Sequence, residues 1–125
     1  MKVPFSWLKE YVDIDVTAQE LSDKLFSCGF EVEELIDLSA EIDRVVVGVV
    51  KECTPVEGTH LFNCKVDCGE YGNDIQIVTG APNVYAGMHT PAALDNSSLP
   101  GGIRIKAKPM RGIESNGMLC SGEEL

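Results

Sequence analysis

Aromatic residues are scarce. Phe, Trp and Tyr make up 6% of the 125 residues, with a single Trp. Few side chains are therefore on hand to stack on unpaired bases. Positive charge is short as well. Ten Lys and Arg stand against 20 Asp and Glu, a net charge of −10. Taken alone, that balance argues against a nucleic-acid binder, because phosphate neutralisation dominates such affinity. No apolar run approaches the roughly 18 residues of a membrane helix. The opening Met1 to Trp7 runs straight into Lys9 and Glu10, without the apolar stretch of a secretory leader. An intracellular, cytoplasmic protein is expected from that start. The sequence also lacks a P-loop, a G-x-G-x-x-G turn and an H-E-x-x-H helix. The carboxylates form no recognisable catalytic spacing, and nothing sets a base beside any thiol. No catalytic residue is expected here.

What is present is ordinary globular composition, 44% apolar and 24% charged, with 12 Gly and 6 Pro. A chain of this length buries roughly 65% of its unfolded surface, enough for a core without staples. The five cysteines are Cys28, Cys53, Cys64, Cys68 and Cys120. An odd count with an intracellular start suggests reduced thiols. Cys53, His60, Cys64 and Cys68 could be imagined as a zinc set. The only close pair is C-x3-C on a strand-like run, so small buried hydrophobes are the better reading.

The pattern divides near residue 40. Ser6 to Val12 predicts one or two helical turns with Ser6 as N-cap. Thr17-Ala18-Gln19-Glu20 is a capping box, and Leu21, Leu25 and Cys28 follow at helical spacing up to a stop at Gly29. Phe30 to Leu38 alternates in part and predicts a strand. Residues 1–40 form a small α+β piece whose apolar faces are too few for a core of their own. Residues 41–125 read as short strands. The first, Val45 to Cys53, carries Gly48 at a bulge or bend. Leu61 to Cys68, Ile75 to Val78, Thr90 to Leu94, Ile103 to Lys108 and Met118 to Cys120 follow, with a long turn over Asp95 to Gly102. Ser121 to Leu125 reads as an N-cap and the first turn of a helix. Five or six short strands with a bent first strand suggest a mainly-β, OB-type barrel. Alternation alone leaves a sandwich open.

Three segments offer binding chemistry. Arg104, Lys106 and Lys108 alternate with Ile103, Ile105 and Ala107, so one strand would line up three cations on one face and bury the others. Arg111 lies just beyond. A phosphate backbone suits such a stripe; a plain solvated face would look the same. Gly80-Ala81-Pro82-Asn83 is a rigid loop offering the Asn83 amide, or simply a turn. Arg111 to Met118 offers Ser115 and Asn116 as donors, or is a Gly-punctuated connection.

Several stretches, taken together and in order, resemble one family, the bacterial phenylalanyl-tRNA synthetase beta subunits. The opening from Met1 to Val12 and Gly29-Phe30-Glu31-Val32-Glu33 resemble its N-terminus. Val46 to Val50, Cys64 to Gly69, Gly80 to Val84 and Leu99 to Ile103 resemble its tRNA-binding domain. So does the tail, Arg111-Gly112-x-x-Ser115-x-Gly117-Met118-x-Cys120-Ser121-x-x-Glu124-Leu125. The resemblance implies an OB-fold and a non-catalytic N-terminal part of an enzyme that attaches phenylalanine to tRNA(Phe). It implies ATP and Mg2+ for the parent enzyme, an alpha subunit as partner in an (αβ)2 assembly, and no cofactor in this part. It also implies that residues 1–40 are completed by chain following the barrel. Arg104, Lys106, Lys108, Arg111, Asn83, Ser115 and Asn116 are the candidate tRNA contacts. The alternative is an assembly module with little direct tRNA contact. The chain departs from the family at Pro55 to Leu61, which lacks the lysine common there and adds Glu57. It departs again at Cys68, where an aliphatic residue is usual.

Overall fold

A computed structural model describes all residues, 1–125. The chain divides into two compact units, Met1–Leu38 and Ser39–Leu125.

In the first unit, helix α1 spans Phe5–Tyr11 and helix α2 spans Ala18–Ser27. Ser6 is not the N-cap of α1. Pro4 takes that position in extended conformation, and no side chain caps the helix. The α2 capping box is complete. The Thr17 hydroxyl accepts the Glu20 N–H at 3.2 Å, and the Glu20 carboxylate accepts the Thr17 N–H at 2.8 Å. At the other end Gly29 takes φ 88°, a conformation that favours glycine, and the Phe30 N–H reaches the Leu25 carbonyl at 2.9 Å. The strand predicted over Phe30 to Leu38 does not form; residues 30–37 have no ladder partner. A strand needs a neighbour for its N–H and C=O groups, and the unit offers none. No side chain of either helix is buried.

The second unit is built from β1 (Asp43–Pro55), β2 (Phe62–Asp67), β3 (Ile75–Thr79), β4 (His89–Leu99), β5 (Ile103–Ile105), β6 (Lys108–Met110), β7 (Ile113–Ser115) and β8 (Gly117–Leu119). The main sheet has six strands in the order β3-β2-β1-β4-β5, with β8 also paired to β4; β6 and β7 form a separate ribbon. All pairs are antiparallel. Hydrogen bonds bring the ends of the sheet together. The Asn116 N–H donates to the Gln76 carbonyl at 2.8 Å, and the Gln76 side-chain amide donates to the Glu114 carbonyl at 2.7 Å. The result is a nearly closed OB-type barrel, preceded in the chain by two short helices, an α+β fold.

Inside the barrel, Val50, Cys64, Val66, Ile77 and Ala92 are fully buried and form one cluster with Leu94 and Cys68. Ala93, Leu99 and Cys120 form a second cluster. Each large aliphatic side chain buried this way stabilises the fold by about 1.5–3 kcal/mol. No bulge falls at Gly48. The irregularity in the β1–β2 pairing falls between Val50 and Glu52. A Cβ on Gly48 would stand 2.6 Å from Val66 Cγ1 and 3.1 Å from Cys68 Sγ, so close packing is what excludes a side chain there. The long turn predicted over Asp95 to Gly102 is shorter, because β4 continues to Leu99. Asn96, at φ 63°, lies where the pairing of β4 with β1 shifts register, between Ala93 and Ser98.

Candidate nucleic-acid interface

The run from Ile103 to Lys108 is not one strand. β5 ends at Ile105 and β6 begins at Lys108. Between them the Ala107 N–H leaves the ladder and donates to the Asp95 carboxylate at 2.7 Å. The predicted burial of alternate residues therefore holds only for Ile105, which is half-buried; Ile103 and Ala107 are exposed. The cations nonetheless stay together. Arg104, Lys106 and Lys108 all line one groove of about 820 Å³. None of them is in an ion pair; the two salt bridges, Lys51–Asp74 and Lys65–Glu52, lie elsewhere.

Asn83 lines the same groove from the exposed Pro82–Asn83 turn. Ser115 also borders it but is only 2% exposed. Its hydroxyl accepts the Val78 N–H at 3.0 Å and donates to the Gly117 carbonyl at 3.1 Å. That hydroxyl ties β3 to β7, and its one proton is spent on Gly117, so it is not a free donor toward a ligand. Asn116 is outside the groove, and its N–H is spent on the closure with Gln76. Arg111 is also outside it. It sits at φ 53°, followed by Gly112 at φ 81°, in the exposed turn joining β6 to β7. Two successive positive φ values match the tight hairpin turn whose twist suits the strands.

The groove has features that spacing did not reveal. Met88, Met110 and Met118 are half-buried along it with Ile105, which gives it a flexible apolar lining. One acid, Glu124, lines it beside the three cations. The Ser121 hydroxyl and N–H both donate to the Glu124 carboxylate and hold its pKa below the ordinary value. Glu124 is thus ionised at neutral pH and offsets one of the cations. The predicted N-cap at Ser121 gives this capped turn. Cys120, also in the lining, has its thiol pKa pushed up chiefly by burial. No aromatic side chain borders the groove. Tyr85 lies outside it, and Phe62 packs against the core cluster.

No group of three or more His, Cys, Asp or Glu side chains is placed to hold a metal ion. The free thiols include Cys53, Cys64 and Cys68, the three cysteines of the zinc set imagined with His60. No helix is long and apolar enough to cross a membrane.

A family model described as "Putative tRNA binding domain" matches residues 45–125. This chain belongs to that family. The matched residues take in β2 to β8, nearly all of β1 and the whole groove. The tRNA-binding domain and the residues before it are also similar to beta subunits of phenylalanine–tRNA ligase. Identity is 48% over 126 residues with the one from Clostridium acetobutylicum, covering 100% of this chain and 16% of that protein. It is 44% over 126 residues with that of Moorella thermoacetica, covering 100% and 15%. It is 46% over 127 residues with that of Prochlorococcus marinus, covering 100% and 16%. The chain thus spans about a sixth of the length of these relatives.

Proposed function

We propose that the groove binds the sugar–phosphate backbone of tRNA, within the beta subunit of a phenylalanine–tRNA ligase that works with an alpha subunit in an (αβ)2 assembly. The convergence of Arg104, Lys106 and Lys108 on one groove is the observation that carries this reading. Three unpaired cations in a concave surface attract phosphates, and counterions released from RNA supply affinity. The absence of an aromatic platform favours backbone over base contacts. Asn83 adds a neutral donor at the same groove. Arg111, on its separate turn, would reach only a longer stretch of backbone.

In this reading the chain positions RNA, and the ATP- and Mg2+-dependent attachment of phenylalanine takes place elsewhere in the parent enzyme. The residues here do not fit a metal site, and no step of that reaction is assigned to them. Residues 1–38, without a buried helical side chain, would gain their core from further chain.

The test is a titration of labelled tRNA(Phe) with the protein and with the R104E/K106E/K108E variant across a salt series. The variant should bind at least about tenfold more weakly, and its log K against log salt slope should fall by about two to three. Equal affinity and slope would sink the RNA reading. They would favour an assembly module, to which the net charge of −10 and the methionine lining lend support.

A further inference from the structure

Two of the five free thiols face each other. Cys53 on β1 and Cys64 on β2 are direct register partners. Partners across an antiparallel ladder point to the same face of the sheet. The class of this pair follows from the chain beyond it. The Val56 N–H donates to the Leu61 carbonyl at 2.9 Å, so Val56 and Leu61 are a hydrogen-bonded pair. Classes alternate along a ladder. Pro55–Phe62 is then non-bonded, as a residue with no N–H requires, Thr54–Asn63 is bonded, and Cys53–Cys64 is non-bonded. Non-bonded partners have Cα atoms about 4.5 Å apart and their side chains closest. Disulfides span Cα separations of about 4.4–6.8 Å. The backbone already stands where a disulfide needs it.

Access is unequal. Cys64 is fully buried and Cys53 is half-buried. Burial, and after it the neighbouring Cys53 thiol, raise the Cys64 pKa. A reagent from solution meets Cys53 first.

We propose that Cys53 and Cys64 are a reversible oxidation site, closed across the β1–β2 ladder by a small disulfide such as oxidised glutathione. The Cys53 thiolate attacks one sulfur of the reagent, forms a mixed disulfide and expels the first glutathione as thiolate. Cys64 gives its proton to that thiolate or to water and attacks the Cys53 sulfur, expelling the second glutathione. Two S–H bonds are lost, one S–S bond is formed, and one oxidised glutathione becomes two reduced ones. The bridge would clamp the base of the connection 56–61. His60 and Leu61 of that connection lie 3.6 Å from the Cβ position of Gly80, which lines the groove. The thiol chemistry stands whether or not the groove binds RNA.

The experiment uses reduced protein carrying Cys28→Ser, which removes the exposed thiol. It is incubated with oxidised glutathione and read by intact mass and peptide mapping. The expected result is the loss of two hydrogens, one linked peptide joining positions 53 and 64, no retained glutathione, and full reversal by dithiothreitol. Adding Cys64→Ala should leave glutathione trapped on Cys53. If Cys53 keeps glutathione while Cys64 is present, or both thiols stay free, or Cys64 links to another cysteine, the proposal fails. The unsubstituted pair gives the decisive reading even if the alanine variant folds poorly.

Discussion

Ser115 looks like a free donor in a Gly-rich segment, yet its hydroxyl holds two strands together. Replacing it with Ala leaves the buried Val78 N–H without its acceptor. Such an orphan costs about 1–3 kcal/mol. Ser115→Ala is therefore expected to lower the urea midpoint clearly, and an unchanged midpoint would remove the clamp role. Gly48 carries a similar lesson. A glycine in a β-branched run suggests a bulge or bend; the structure shows that Val66 and Cys68 occupy the space a Cβ would need. Gly48→Ala should destabilise by about 1–3 kcal/mol through overpacking, measurable as a fall in Tm. In both cases the residue type is visible in the sequence. The neighbour that gives it a role lies 18 or more positions away along the chain (Val66 from Gly48, Val78 from Ser115).

Among the elements, α2 was legible in detail because every signal for it is local. Thr17 and Glu20 cap each other within one turn, and Gly29 ends the helix. Thr17→Ala should cost about 1 kcal/mol of helix stability, seen as faster amide exchange in Ala18 to Leu21. The Glu20 carboxyl has its pKa lowered, first by the Thr17 N–H and then by the Thr17 hydroxyl. The capped state therefore has its full benefit above the ordinary value of 4.5 and loses it as pH falls through the lowered one. The first amides of α2 should lose protection on acidification, and Glu20→Gln should flatten that dependence. The segment 103–108 was half legible. Its alternation correctly marks Ile105 as inward and groups the cations, but a carboxylate on β4 pulls Ala107 out of the ladder. The stretch 30–38 shows the reverse failure, where a strand-like pattern lacks a partner strand. Short strand patterns carry no information about who pairs with them.

For the whole molecule, the core thiols make alkali the weak side. Cys64 is pushed up from an ordinary 9.0 to about 12, by burial and then by Cys53. Cys68 and Cys120 move in the same direction, chiefly through burial. Below pH 9.0 folded and unfolded chains both keep the Cys64 proton, and its contribution to stability is complete. Between 9.0 and about 12 the unfolded chain loses that proton while the barrel retains it, so stability drains away as pH rises. Under reducing conditions the urea midpoint should fall from about pH 8 to about pH 11, and Cys64→Ala should lessen the slope. A flat profile would count against a buried, protonated Cys64.

The same scale explains what could be read in advance. The capping box, the run of short strands and the order of the family-like stretches were enough for two helices, a barrel and a tRNA-binding kinship, against the lean of the acidic composition, because each is read from short local stretches. Only the fold decided that three exposed cations share a groove with three methionines and Glu124. Only the fold spent the Ser115 hydroxyl and the Asn116 backbone N–H on strand closure and set Cys53 against Cys64. Those outcomes depend on strand register and on where the sheet closes, and long-range pairing fixes both after the local pattern has had its say.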